Sequence, residues 1–230
     1  MNFWRFANYL STTTSSQLTL NPTAVNESWI VTKMVEYLGT NDRRHHYEFN
    51  QFRPAEFASL TGVQRNLDLA GYYKSGDTSL AVARSLTEVK FMREGSADWL
   101  SRIMKDFFRL ISVRDRTTAA TKRLLVVVGR DKLWETLDHQ HNSVFSKLCP
   151  MRFRGRVATA GLTARPCSTS FSPHWRARHE PLLDDYLVPL MPNGVRVQLV
   201  GLHHCPPSLG EDAEGTGITT RIWRLIPRRR

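Results

Sequence analysis

The sequence predicts an α/β domain in which helices flank a central mixed sheet. Apolar residues recur at helical spacing over residues 24–38, which predicts an amphipathic helix. Two strand-like runs then lie on either side of the turn residues 74–77, an arrangement typical of an antiparallel hairpin. A second helical stripe separates this hairpin from the apolar run at residues 124–128. A strand, a helix and a buried strand in succession indicate a parallel crossover.

Recognisable residues bound several of these elements. We expect Gly39 to end the first helix, because glycine readily adopts the backbone conformation that follows a helix. Ser96 is a suitable N-cap for the second helix, and Pro150 ends a third. The predicted strands cover residues 46–52, 63–73, 80–92 and 124–128, and the predicted helices cover residues 24–38, 96–111 and 132–148.

The chain divides into three regions on composition. Residues 1–23 form an N-terminal lead-in, in which the polar stretch at residues 11–16 predicts a loop. Residues 24–149 form the core, and residues 150–230 form a basic C-terminal extension packed on it, richer in Arg, Pro, Gly and His. The extension contains two periodic pieces that predict strands, either in a small β unit or added to the main sheet, at residues 195–201 and 218–226.

Charge is the strongest compositional signal. The 230 residues include 32 Lys and Arg against 21 Asp and Glu, a formal net charge of +11. A basic excess spread over the chain is typical of a polyanion binder, with nucleic acid as the first candidate and a solvated basic surface as the alternative. Three widely spaced cysteines predict no disulfide framework and favour a reducing, cytoplasmic location. The N-terminus predicts neither a secretory signal nor a membrane span.

A charged pair interrupts the strand-like stretch SLTEVKFMRE. Because successive side chains of a strand point to opposite faces, Glu88 and Lys90 share one face while Val89 and Phe91 share the other. The preceding strand carries Asp68. Two carboxylates beside a lysine can hold a divalent cation through oxygen ligands and position a water, which suits phosphodiester hydrolysis.

These residues resemble the signature of the PD-(D/E)XK nuclease superfamily. Asp68 matches the first motif carboxylate, and Leu67 stands in place of the motif's proline. The acid-x-lysine element matches Glu88-Val89-Lys90, which is the sole Glu-x-Lys tripeptide in the sequence. The predicted order of elements is similar to that family's restriction-endonuclease-like αβββαβ core. The resemblance implies that Asp68 and Glu88 bind Mg²⁺ or Mn²⁺ and that Lys90 positions the attacking water.

The resemblance also implies a further acid from the first helix and a specific hairpin register. Glu27, at the start of that helix, is the preferred third metal ligand, and Glu36 is the alternative. For Asp68 to lie opposite Glu88, the hairpin must centre on residue 78. Its glycine-containing turn centres nearer residue 76, an offset that a β-bulge or a splayed strand end would absorb.

The leading functional hypothesis is a metal-dependent endonuclease acting on DNA. Arg102, Lys105 and Arg109 lie on the basic side of the second helix and would contact phosphates. Cutting both strands would require two active sites, and hence a homodimer or a partner subunit. The first alternative is a nucleic-acid-binding or assembly protein that keeps the fold without cutting. The second is a basic ribonucleoprotein component, for which Glu88 and Lys90 would lie on the outer surface, far from Asp68.

Overall fold

The computed structural model of this chain describes a helix-flanked sheet. The described residues are 1–42, 44–49, 67–74, 83–93, 99, 102–103, 106–107, 110, 121–140, 168–171, 195–207 and 217–227. Their elements in chain order are α1 (Phe3–Leu20), α2 (Glu27–Asn41), β1 (His45–Phe49), β2 (Leu69–Tyr73), β3 (Ser85–Met92), β4 (Lys122–Arg130), α3 (Asp131–Gln140), β5 (Ser168–Phe171), β6 (Val195–Cys205) and β7 (Ile218–Pro227). Six further residues before β4 are helical, namely Trp99, Arg102, Ile103, Asp106, Phe107 and Leu110.

Within the described residues, seven strands form one sheet in the order β1-β2-β3-β4-β7-β6-β5. Strands β3 and β4 are parallel, whereas every other neighbouring pair is antiparallel. The predicted α/β class and mixed sheet are therefore confirmed. Of the two arrangements considered for the C-terminal strands, the structure has the second, because β7 pairs directly with β4 and extends the main sheet.

The central strands are explained by their side chains. All of the apolar run Leu124 to Val128 in β4 is buried, as expected for a strand with neighbours on both edges and helices on both faces. Strand β3 alternates instead, because Val89 and Phe91 enter the apolar core while Glu88 and Lys90 point to the opposite face.

The two faces of the sheet are covered by different helices. Helices α1 and α2 pack against the face that carries Val89 and Val126. On the other face, Lys90 contacts Asp106 of the helical residues before β4. There the guanidinium of Arg221 also lies 4.0 Å from the ring centroid of Trp134 in α3. We call this second face, which carries Glu88, Lys90 and Arg221, the site face.

The predicted loop at residues 11–16 is wrong, because this stretch lies inside α1. Serine and threonine have modest helix propensity, but tertiary contacts stabilise the helix here. The hydroxyl of Ser11 is buried and donates to Thr220 Oγ1 at 2.8 Å, with the carbonyl of His203 3.1 Å away. A Cβ at Gly201 would come within 2.6 Å of the Phe3 carbonyl oxygen, so α1 begins directly on the backbone of β6.

Several predicted boundaries move or fall partly outside the described residues. Helix α2 spans Glu27–Asn41 rather than residues 24–38, so Gly39 lies inside the helix and does not end it. Strand β1 begins one residue earlier than predicted. Of the strand predicted over residues 80–92, Ser85–Met92 is observed as β3, and residues 80–82 lie outside the described part. The helix predicted over residues 132–148 is observed as α3, with residues 141–148 outside the described part. The predicted boundary at 149–151 also lies outside it. None of the described helices is both long and apolar enough to cross a bilayer.

Candidate active site

The pairing of β2 with β3 sets the position of Asp68. Leu69 lies opposite Thr87 and Gly71 lies opposite Ser85, a register centred on residue 78. When this register is extended by one residue beyond the Leu69–Thr87 pair, Asp68 lies opposite Glu88. The backbone N–H of Val89 donates to Asp68 Oδ2 at 2.7 Å, which fixes that carboxyl group against β3. The hairpin register that the sequence hypothesis requires is therefore present, and the described pairs reach it without a bulge.

Gly71 allows this hairpin and its neighbour β1 to pack closely. A Cβ at residue 71 would overlap the hydroxyl of Ser85 and would lie 2.7 Å from a ring carbon of Tyr47. The side chains of β1 and β3 therefore meet above the glycine. This packing fixes β2, the strand that begins immediately after Asp68.

Asp68, which is half-buried, and Glu88, which is buried, form a closely spaced pair of carboxyl groups. Burial raises the pKa of Asp68 to about 6, and the negative charges of Asp106 and Glu27 act in the same direction. Hydrogen bonds from the Val89 N–H and with the Glu88 side chain offset part of that rise. Glu88 is only 1% exposed. Two acids so placed favour a shared proton or a bound cation, because both cannot ionise at low cost without one.

Lys90 lies on the same face of β3 as Glu88, and its ammonium group contacts two further carboxylates. Its Nζ is 3.1 Å from Glu27 Oε1 and 2.9 Å from Asp106 Oδ2. Burial alone would lower the pKa of Lys90, but the charges of Asp106 and Glu27 and their hydrogen bonds outweigh burial and leave it raised. Lys90 is therefore a charged ammonium near neutral pH, within a group of four acids.

Asp106 is the site residue that the sequence hypothesis missed. It lies three residues after Ile103 and four before Leu110, so it occupies the apolar side of its helical segment. An acid in an apolar stripe was the signal that could have identified it. Arg221 was also missed. It lies on the same face as Lys90, two strands away, because both residues pair with Val127 from its two sides.

The structure separates the two candidate acids of α2. Glu27 contacts Lys90, whereas Glu36 forms an exposed pair with Lys33 at 2.8 Å. Of the three basic residues proposed to contact phosphate, Arg102 is exposed, with its guanidinium 5.2 Å from the ring centroid of Trp99. The other two, Lys105 and Arg109, lie outside the described residues.

A cation at Asp68 and Glu88 fits the residue types but would need ligands from elsewhere. Among the described side chains, no group of three His, Cys, Asp or Glu forms a metal-ligand cluster. Mg²⁺ in proteins is commonly held by one or two carboxylates, with water and substrate phosphates supplying the remaining oxygens. The Asp68–Glu88 pair has this composition.

A second polar cluster joins α3 to strands β6 and β7. His204 Nδ1 lies 2.8 Å from Asp131 Oδ2, and the hydroxyl of Thr219 donates to the other oxygen of Asp131 at 2.5 Å. The hydrogen bond with Asp131 raises the pKa of His204, and burial only partly opposes it. The indole N–H of Trp134 donates to the carbonyl of Thr219 at 3.1 Å. These contacts fix the start of α3 on the sheet.

Comparison with known proteins assigns no family to this fold and site. No protein-family model, curated protein or solved structure matches the chain. Function must therefore be inferred from the geometry of the site. A ribonucleoprotein component without nuclease ancestry would be favoured by Glu88 and Lys90 on the outer surface, far from Asp68. In the structure Glu88 is instead buried and close to Asp68.

Proposed function

We propose that this protein is a metal-dependent phosphodiester hydrolase, and specifically a DNA endonuclease similar to the PD-(D/E)XK nucleases. The observation that carries the proposal is the pairing of Asp68 with Glu88 across β2 and β3, with Lys90 on the same face of β3 as Glu88. The order α2, β1, β2, β3, helical residues and β4 supports it, because it is similar to the αβββαβ core of that family.

In this proposal Asp68 and Glu88 hold Mg²⁺ or Mn²⁺, and Glu27 supplies a third carboxylate. When bound, the cation would neutralise charge on the phosphoryl group and acidify a bound water. The ammonium of Lys90 would orient the attacking water or stabilise negative charge that develops in the transition state. The side chain of Glu27 is 42% exposed, so it can turn from Lys90 toward a neighbouring cation.

Nucleic acid is the proposed substrate because of charge. The net charge of +11 favours a polyanion, and exposed Arg102 lies on the helical segment that also contributes Asp106 to the site. A homodimer or a partner subunit would provide the second active site needed to cut both strands. The cysteine content is consistent with a cytoplasmic location for this activity.

The competing function is nucleic-acid binding or assembly without cleavage. It is favoured by the burial of the site, because Glu88 is 1% exposed and the Lys90 side chain is 13% exposed. Buried ion networks of this kind can persist for structural reasons alone. A catalytic protein should be stabilised by a divalent cation, whereas a protein that has lost the metal site should not.

The test of the nuclease proposal is cleavage of plasmid and linear DNA with Mg²⁺ or Mn²⁺. The unsubstituted protein should cut, and Lys90→Met should reduce the rate by roughly 10²- to 10³-fold, as expected for loss of a charge-stabilising group. Glu27→Gln should also reduce the rate, whereas Glu36→Gln, an equivalent change on the same helix, should not. Equal cleavage by the unsubstituted protein and Lys90→Met would exclude the proposed catalytic role of Lys90.

A further inference from the structure

The ammonium of Lys90 contacts carboxylates from two different helical segments. Glu27 begins α2, and Asp106 belongs to the helical residues before β4. Their oxygens lie 3.1 Å and 2.9 Å from the same Nζ. A lysine side chain is long and flexible, so two anchors from separate elements restrict its ammonium far more than one would.

The two anchors differ sharply in their surroundings. The side chain of Asp106 is 2% exposed, and its helical segment buries Ile103, Phe107 and Leu110. Glu27 lies in the first turn of its helix, and its side chain is 42% exposed. Asp106 is therefore held by packing, whereas Glu27 is free to change rotamer.

This difference matters because an ammonium group has three N–H donors. In the described site the ammonium forms ion pairs with carboxylate oxygens of both Glu27 and Asp106. The proposed function requires Glu27 to turn toward a bound cation. Of the two carboxylates, only Asp106 then still holds the Lys90 ammonium in place. The donors that Glu27 releases can then face water or a phosphate oxygen.

We infer that Asp106 is a positioning residue that holds the Lys90 ammonium in its working location while Glu27 exchanges between Lys90 and the cation. This inference rests on the proposed nuclease function and deepens it. Asp106 acts through Lys90 and contacts neither cation nor substrate. Its removal should therefore lower kcat and leave KM nearly unchanged, because misplacement of a catalytic group affects the chemical step.

The test is a double-mutant cycle in single-turnover DNA cleavage with Asp106→Asn, Lys90→Met and the combined variant. Asp106→Asn keeps the size of the side chain and removes its charge, and it should lower kcat by about 10- to 100-fold. Added to Lys90→Met, it should cause no more than about a twofold further loss, because the group it positions is already absent. Thermal melting of each variant separates this effect from loss of fold.

The results distinguish failure of the positioning role from failure of the nuclease function. If Asp106→Asn reduces cleavage by the same factor with and without Lys90, or retains the original kcat, the positioning role is wrong while the nuclease function stands. If the unsubstituted protein does not cleave DNA, the proposed function and this inference both fail. Should Asp106→Asn not fold, Asp106→Glu keeps the charge but moves the carboxylate by one methylene. A lower kcat with unchanged KM then supports the role, and the original kcat overturns it.

Discussion

The backbone N–H of Val89 donates a 2.7 Å hydrogen bond to Oδ2 of Asp68 and thereby joins the carboxyl group that precedes β2 to the middle of β3. Glu88 and Lys90 are the neighbours of Val89 in the sequence. This one backbone contact therefore holds Asp68 next to the acid-x-lysine pattern of β3. Four predictions follow the chemistry of this site and of the contacts that support its sheet.

Asp68→Asn should stabilise the fold while it abolishes cleavage. Burial raises the folded-state pKa of Asp68 from 3.8 to about 6, so the folded protein favours the uncharged carboxyl. The stability that this group contributes is present below pH 4 and lost as pH rises through 6. Asparagine cannot ionise, so its advantage develops between about pH 4 and pH 6 and is complete above that range.

Melting curves without divalent cations at pH 4.5 and pH 8 test this prediction. Asp68→Asn should melt a few degrees above the unsubstituted protein at pH 8, consistent with a gain on the order of 1–3 kcal/mol. The gain should be clearly smaller at pH 4.5, where the folded carboxyl is still protonated. An equal gain at both values, or no gain at pH 8, would contradict the assigned cost of ionising Asp68.

Divalent cations should stabilise the protein through Glu88. A ligand at 100 times its Kd stabilises the folded state by about 2.7 kcal/mol, so titration with Mn²⁺ should raise the melting temperature. Glu88→Gln should remove that response, because an amide is a much poorer ligand for a hard cation. Glu36→Gln is the matched control and should keep the full shift. A Mn²⁺ response that survives Glu88→Gln would place the cation elsewhere.

The contact between Asp131 and His204 should stabilise the fold more at low pH. The pKa of His204 is raised in the folded state, mainly by its hydrogen bond with Asp131. The ion pair is therefore fully present below the ordinary histidine pKa and is lost as pH rises through the raised value. Asp131→Asn should lower the melting temperature more at pH 5.5 than at pH 9.

His204→Gln provides the control for that pH dependence. In its background, Asp131→Asn should cost the same at pH 5.5 and pH 9, because only the bonds of Asp131 to uncharged partners remain. His203, adjacent in sequence, has a lowered pKa and repels a charged His204, but neither substitution removes it. A pH-independent effect of Asp131→Asn in the original protein would show that no ion pair forms.

Ser11→Ala should destabilise the protein although it lies in a polar stretch. It removes the donor to Thr220 Oγ1 and leaves that hydroxyl without this buried contact, at a cost of about 1–3 kcal/mol. Ser16 is exposed on the same helix, and Ser16→Ala should change the free energy of unfolding by less than about 0.5 kcal/mol. Urea denaturation of both variants measures the difference, and equal effects would contradict the role of Ser11.

The parts of the fold that the sequence predicts are those with strong local patterns. The helical period of α2 and the apolar run of β4 can be recognised in the sequence because one burial pattern dominates each segment. The alternation of Glu88 and Lys90 with Val89 and Phe91 is equally local. Helix α1 could not be predicted from its serines and threonines, because contacts with residues 203 and 220, far away in the chain, stabilise it.

The remaining errors concern features that depend on distant segments. The position of Gly76 suggested that the hairpin centres near residue 76. The pairing of Gly71 with Ser85 centres it on residue 78 instead, because the register depends on which side chains must be buried. The placement of Arg221 on the same face as Lys90 depends on β7 pairing with β4, almost a hundred residues earlier in the chain. Asp106 is different, because its place in an apolar stripe was visible in the sequence.

The most direct test of the central claim is a crystal structure of the protein soaked with Mn²⁺, measured at a wavelength where manganese scatters anomalously. The account predicts an anomalous peak within bonding distance of carboxylate oxygens of both Asp68 and Glu88, with Lys90 still in contact with Asp106. An ordered site without a peak, at a Mn²⁺ concentration that supports cleavage or stabilisation, would contradict it, as would a peak bound by other residues.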